Sequence, residues 1–166
     1  MIKIRKASGD DFERIMDIYR YAQDFMIKTG NPNQWGHFYP SDDIIKSDIK
    51  KGLCMTVCDE NEIYAVFALL HNPEPTYSFI EGKWLNEEEY ITIHRVAGDG
   101  RIHGIVGFIA NYCKKISGNV RIDTHHDNKI MQRQLEKNGF VKCGTIYLED
   151  GNPRLAYHWS SLKTGK

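Results

Sequence analysis

The sequence predicts a mixed α/β fold, a mainly antiparallel central sheet flanked by about four helices. Three observations predict it. Apolar residues alternate over short runs and recur at helical spacing over longer ones. A glycine-punctuated loop, Gly98-Asp99-Gly100-Arg101-Ile102-His103-Gly104, joins an apolar strand to a helix-like run. One strand–helix–strand crossover lies near the middle of the chain, too little for a doubly wound nucleotide fold, in which strands and helices alternate throughout.

The elements follow in order. Residues 2–7 read as a strand with Ile2 and Ile4 on one face. Ser8, with Asp11 three residues later, is close to a capping box. Phe12, Ile15, Met16, Ile18, Tyr19, Ala22, Phe25 and Met26 then recur as in a helix of about seventeen residues. Thr29-Gly30-Asn31-Pro32-Asn33 ends it. Ser41-Asp42-Asp43 caps a short second helix that Gly52 closes. Leu53–Asp59 and Glu62–His71 read as a hairpin across Glu60-Asn61. Residues 72–89 read as an irregular but apolar connection. Tyr90–Ala97 is a strand, Ile105–Lys115 a helix, Val120–Thr124 a strand, and a helix from about Asn128 stops at Asn138-Gly139-Phe140. Phe140–Leu148 and Arg154–Trp159 read as strands around a Glu149–Pro153 turn, and Lys163–Lys166 as a frayed tail.

Length and composition bound the function. At 166 residues the chain is read as one domain, 1–166, long enough for a substantial core. Its 22 basic residues balance 22 acidic ones, so no nucleic-acid or membrane surface is expected. No apolar run approaches the length of a membrane span. Cys54 and Cys58, four apart in a strand, share a face as buried thiols, and no metal site is expected. The start lacks the apolar stretch of a secretory signal, which leaves a reducing cytoplasm as the expected compartment. The apolar C-terminal strands leave room for a homodimer.

The glycine loop carries the first chemical signal. A loop that opens into a helix N-terminus offers unpaired amides and the positive end of the dipole, a place for a diphosphate. Walker A chemistry would need Gly-Lys-Ser/Thr, which is absent. Spacing alone leaves Asp123 as a candidate ribose ligand of a dinucleotide fold, but the strand order does not fit.

The motifs Arg101-Ile102-His103-Gly104-Ile105-Val106 and Asn128 with Gly139-Phe140 eleven residues on, in this element order, resemble the GNAT superfamily of acetyl-CoA-dependent N-acetyltransferases. Its loop signature, Arg/Gln-x-x-Gly-x-Gly/Ala, lies between its fourth strand and third helix. Asn33-Gln34-Trp35, Trp84-Leu85, Ile93-His94-Arg95 and Leu148-Glu149-Asp150-Gly151 suggest a bacterial subgroup of mostly unassigned substrate. The resemblance covers nearly the whole chain and implies a GNAT-like acyl-CoA N-acyltransferase fold. It implies that backbone at Val96 and Ala97 pairs with the pantetheine arm of acetyl-CoA. The amides of Ile102, His103, Gly104, Ile105, Val106 and Gly107 would hold the pyrophosphate, with Arg101 adding a charge and Asn128 facing the cofactor. Two positions depart from the family: Val106 stands where Gly or Ala is usual, and Leu135 where a Tyr often protonates the leaving thiolate. Water or another residue such as Tyr147 must then supply that proton.

The reaction implied is direct attack by a neutral amine of a small molecule, amino acid or peptide on the thioester carbonyl. It needs a base and an oxyanion donor, for which the Val96 amide is the candidate. Asp123 matches a position where some members carry a carboxylate base. His94, two residues before Val96, would share its face in a regular strand. Each has a plainer reading: His94 as a hydrogen-bonded structural histidine, Asp123 as part of a cap before the next helix. Gln34, Trp35 and Trp84 are expected in the substrate cleft; Gln34 and Trp35, with Asn33, Phe38 and Tyr39, have the plainer reading of packing the first loop. His125-His126 looks like a metal pair, but neighbours on a loop diverge and no third ligand is evident. Glu87-Glu88-Glu89 reads as a solvated face. Two other readings stay open: a catalytically silent GNAT-like module that binds acyl-CoA as sensor or interaction domain, and a different nucleotide-binding α/β enzyme.

Overall fold

A computed structural model describes residues 1–162. The predicted tail, Lys163–Lys166, lies outside the described residues. The strands are β1 (Lys3–Lys6), β2 (Cys54–Cys58), β3 (Ile63–Leu70), β4 (Glu81–Gly82), β5 (Ile91–Gly98), β6 (Asn119–Thr124), β7 (Val141–Tyr147) and β8 (Pro153–Ser160). The helices are α1 (Phe12–Lys28), α2 (Asp42–Lys50), α3 (Ile105–Ile116) and α4 (Lys129–Lys137). The strands form a mostly antiparallel sheet in the order β1-β2-β3-β5-β6-β8-β7-β4, with β5 and β6 parallel. Among the described residues no helix is long and apolar enough to cross a membrane.

The chain divides into two compact units. The first comprises Met1–Leu69 and His94–Ile105, the second Leu70–Ile93 and the chain from Val106 onward. In the first unit, β1 and β3 flank β2 in antiparallel register, Ile4 opposite Val57 and Thr56 opposite Val66. The core there is built by Ile15, Ile18 and Tyr19 of α1, Ile45 of α2, Cys54 and Cys58 of β2, Val66 of β3 and Ala97 of β5. Their spacing on α1 is the predicted helical stripe, and the two cysteines share the expected face. Fully burying a side chain such as Ile15 or Ile18 contributes about 1.5–3 kcal/mol. The Ser8 amide donates to Asp11 Oδ2 at 2.8 Å, as the box predicts, but Gly9–Asp11 form a 3-10 turn before α1 begins.

In the second unit, β8 pairs with β6 (Asp123 opposite Ala156) and with β7 (Thr145 opposite Leu155). The α4 boundaries explain the Asn…Gly-Phe spacing. Asn128 Oδ1 accepts the Met131 amide at 3.0 Å at the N-cap. After the helix, the Gly139 and Phe140 amides donate to Glu136 and Leu135 carbonyls, with Gly139 left-handed at φ 87°. One expectation needs correction. The 72–89 connection is not wholly irregular: Pro75–Tyr77 form a 3-10 turn, and Glu81–Gly82 form the short strand β4 against β7. A two-residue strand is too short to show any periodicity in sequence.

Candidate active site

In the first unit, β5 is not a regular strand. Arg95 adopts φ 55°, a left-handed conformation that a long side chain avoids. Such a conformation costs about 1–3 kcal/mol and persists only where its surroundings enforce it. Here they do. Arg95 Nε and Nη2 donate to the two oxygens of Asp48, at 2.9 and 3.0 Å, and Nη1 donates to Tyr39 Oη at 3.0 Å. The Tyr19 hydroxyl donates to the Arg95 carbonyl at 2.8 Å. Burial pushes the Tyr19 phenol well above its ordinary range, so it stays a donor. Asp48 is only 5% exposed, on the face of α2 that also buries Ile45. The strict alternation that would put His94 and Val96 on one face is therefore interrupted between them, a correction to the sequence reading. Both are half-buried, while Ala97 is buried in the core.

The glycine loop follows. Asp99 accepts from Arg14 Nη2 at 2.6 Å and from the Arg101 amide and Nε at 3.1 and 2.8 Å. Arg101 Nη1 reaches both Glu62 oxygens at 2.9 Å, and its guanidinium covers the Tyr64 ring at 4.5 Å. The side chain expected to meet phosphate is thus engaged by two carboxylates as a strut of the loop. Beyond it His103 and Gly104 are exposed and Ile102 half-buried. Gly104 has φ 76° with open space where a Cβ would point. This glycine turns the chain into α3, whose first-turn amides from Ile105 onward have no carbonyl partner within the helix. These features fit a diphosphate at the helix start. Gly107, in the second unit, is set by packing: a Cβ there would lie 2.9 Å from Asn138 Oδ1. Val106 is half-buried in the first turn of the helix.

The acceptor-side candidates of the first unit lie in the chain after α1. Gln34 Oε1 accepts from Asn31 Nδ2 at 2.8 Å. Trp35 is 9% exposed, with ring centroids 5.8 Å from Tyr19 and 6.2 Å from Tyr39. A charged hollow of about 290 Å³ in this unit, lined by Arg5, Arg14, Asp59 and Glu62 among others, contains none of the expected site residues.

In the second unit Asp123, half-buried on β6, accepts from the Tyr77 hydroxyl at 2.7 Å. Burial and then the Asp123 charge push the Tyr77 phenol far up, so it remains the donor and the carboxylate the acceptor. Trp84 is buried at 4% exposure, donating from Nε1 to the Tyr77 carbonyl at 3.1 Å. Arg121 lies between the rings of Trp84 and Tyr90, 4.0 Å from each centroid, and donates to the Asn86 carbonyl at 2.8 Å. His158, fully buried, accepts the Leu85 amide at Nδ1 (3.2 Å), which leaves Nε2 to donate to Asn119 Oδ1 at 2.9 Å. Burial and the Arg121 charge hold it neutral, its pKa lowered to about 4. Trp84 thus acts from behind any surface, bracing the Tyr77–Asp123 pair.

Further positions bear on the chemistry. Leu135 is 1% exposed, so α4 turns an apolar side chain inward where the family often has a phenol. Tyr147 bonds through its hydroxyl to Glu81 Oε1, which raises its pKa and makes it a poorer proton donor. Contrary to the expected divergence, the His125 and His126 rings stack at 4.3 Å, and with Asp127 they bring three ligand atoms within 4.8 Å. There His125 Nδ1 already accepts the Asp127 amide at 3.0 Å, and burial and the Arg154 charge lower its pKa.

Sequence reading named His94, Asp123, Trp35 and Trp84, and Tyr39 beside the cleft, but missed the partners Asp48, Tyr19 and Tyr77. The contacts of Arg95 with Asp48 and of Tyr77 with Asp123 span 47 and 46 positions. No local signal could have found them.

No protein-family model matches the chain, and no curated protein does. Solved structures do. An acetyltransferase of the GNAT family from Streptococcus agalactiae 2603 superposes with a TM-score of 0.87 at 30% identity, covering 98% of this chain and 96% of that one. A GNAT-family acetyltransferase from Listeria monocytogenes 4b F2365 matches with a TM-score of 0.70 at 15% identity, over 96% and 94% of the two chains. The ribosomal-protein-S18-alanine N-acetyltransferase from Escherichia coli matches at 0.63 and 13%, over 100% and 97%. The latter two likenesses speak for the fold. The first, at 30% identity over nearly the full length of both chains, establishes that this protein belongs to the GNAT family of acetyltransferases and is an acyltransferase.

Proposed function

We propose that the protein transfers the acetyl group of acetyl-CoA directly to a primary amine of a small molecule, an amino acid or a peptide N-terminus. The observation that carries this reading is the left-handed Gly104 leading into the first turn of α3, where amides have no partner within the helix, on a GNAT fold. That element suits the cofactor diphosphate, with backbone at Val96 and Ala97 meeting the pantetheine arm. Arg101 acts through the loop it braces, and Asn128 through the start of α4 that it caps. Gln34 and Trp35 belong to the acceptor side, and Trp84 supports Asp123 through Tyr77. The four free cysteines suit a reducing cytoplasm.

Asp123 is the base in this reading, with His94 as the second candidate. The carboxylate takes a proton from the acceptor ammonium, directly or through one water. The amine nitrogen then attacks the carbonyl carbon, a C–N bond forms, and the carbonyl electrons move to oxygen. The Val96 amide stabilises that oxyanion. As the adduct collapses the C–S bond breaks, the nitrogen releases its surplus proton to water, and CoA leaves as a thiolate that takes a proton from the same water, since Leu135 offers none and Tyr147 is held by Glu81.

Release of free thiol from acetyl-CoA, followed across a panel of small amines, amino acids and peptides, tests the proposal. Amine-dependent release with an acetylated product is the expected result. Acetyl-CoA binding without turnover on any amine would instead support the sensor reading, which the buried Leu135 favours.

A further inference from the structure

A glycine could take the left-handed position in β5 without strain, yet the residue there is an arginine at φ 55°. Three elements of the first unit hold it. Asp48 of α2 grips the guanidinium with both oxygens, at 2.9 and 3.0 Å, and Tyr39 takes the third donor at 3.0 Å. Tyr19 of α1 fixes the carbonyl of the same residue at 2.8 Å. Side chain and backbone are thus pinned independently, and the planar fork on a carboxylate admits little rotation. A left-handed residue between extended neighbours turns the next peptide out of the alternating pattern of the strand. That next peptide carries the Val96 amide.

We propose that Arg95 is a positioning residue for acetyl transfer: Asp48, Tyr39 and Tyr19 lock it in the left-handed turn that presents the Val96 amide to the thioester carbonyl. The inference rests on the acetyl-transfer reading above and adds to it the device that aims the oxyanion donor. The lock also reaches the acceptor side. Trp35 packs on both Tyr19 and Tyr39, so the chain at 29–40 and the turn in β5 share one set of side chains. A shift of the acceptor loop would therefore be felt at the Val96 amide.

Two measurements test this. In steady-state kinetics Arg95→Lys, which cannot form the fork, and Asp48→Asn should each lower kcat about 10- to 100-fold. KM for acetyl-CoA should stay within about threefold, because the loop and helix that hold the diphosphate are untouched. Variants that melt earlier but keep wild-type kcat would overturn the proposal and leave the lock a purely structural feature. The second measurement is magnetic resonance of the isotope-labelled wild-type protein, which needs no variant to fold. The Val96 amide proton should shift further on addition of acetyl-CoA than on addition of CoA, which keeps the pantetheine arm but lacks the thioester carbonyl. An equal response to both would overturn the proposal even if amines are acetylated. A selective Val96 shift in a protein that acetylates no amine would uphold the aimed amide and remove the acetyl-transfer reading instead.

Discussion

Arg95 of the first unit and Arg121 of the second, both largely withdrawn from solvent, solve the same electrostatic problem in opposite ways. Arg95 meets a buried carboxylate head on: its side chain is 14% exposed, that of Asp48 8%, and the contact is bidentate. Arg121, at 3% exposure, has no buried carboxylate; its charge lies between two aromatic faces, and Glu87, 80% exposed, stays 3.7 Å away. Its Nε has no hydrogen-bond partner among the described residues. The pKa values register the difference. Arg95 is raised, because Tyr39 and Asp48 outweigh the burial that lowers it, whereas burial leaves Arg121 lowered. A bidentate pair tolerates little displacement, which suits a residue that fixes a backbone turn. Aromatic faces tolerate sliding, which suits an arginine that only straps the 84–90 connection to β6.

The contrast can be broken most severely at Asp48. Asp48→Ala leaves the Arg95 charge buried without its carboxylate, and denaturant unfolding should show a loss of about 3–5 kcal/mol. A loss below 1 kcal/mol would mean that Arg95 needs the carboxylate no more than Arg121 does. The next effect is pH-dependent and belongs to the second unit. His158 is held neutral with its pKa lowered to about 4, while in the unfolded chain it titrates near 6.5. The unfolded state therefore binds the extra proton between these values, so this contribution is complete above about 6.5 and lost as pH falls toward 4. On the order of 3 kcal/mol should go over that window. Melting followed against pH checks it, and His158→Gln should flatten the slope. Smallest is the strap itself. Trp84→Leu removes one aromatic face and the bond to the Tyr77 carbonyl, for about 2 kcal/mol, and Glu87→Ala, as a control, should change stability by less than about 0.5 kcal/mol.

These partners mark where sequence reading stops. The helices were legible because their signals are local: the apolar stripe of α1, Ser41 before α2, Asn128 and Gly139-Phe140 at the ends of α4. The glycine loop was legible because a left-handed turn before a helix leaves glycine in the sequence. Arg95 left no such mark, since nothing in Ile93-His94-Arg95 announces a left-handed arginine. Asp48 looked like an ordinary charge on a short helix, and only the fold brings it to Arg95. Tyr77 sat in a connection read as irregular, so its hydroxyl on Asp123 was invisible, although Asp123 itself was found from the family pattern. Trp84 was expected at a surface and lies in the core, because an aromatic ring shows its apolar character in sequence but not the side from which it serves.

The central claim, acetyl transfer with Asp123 as base, is tested most directly by turnover of Asp123→Ala and His94→Ala beside wild type on the best amine. The account predicts that Asp123→Ala loses at least about 100-fold in kcat, with binding of acetyl-CoA retained. Near-normal turnover of Asp123→Ala would contradict it, and a loss confined to His94→Ala would move the role of base to His94.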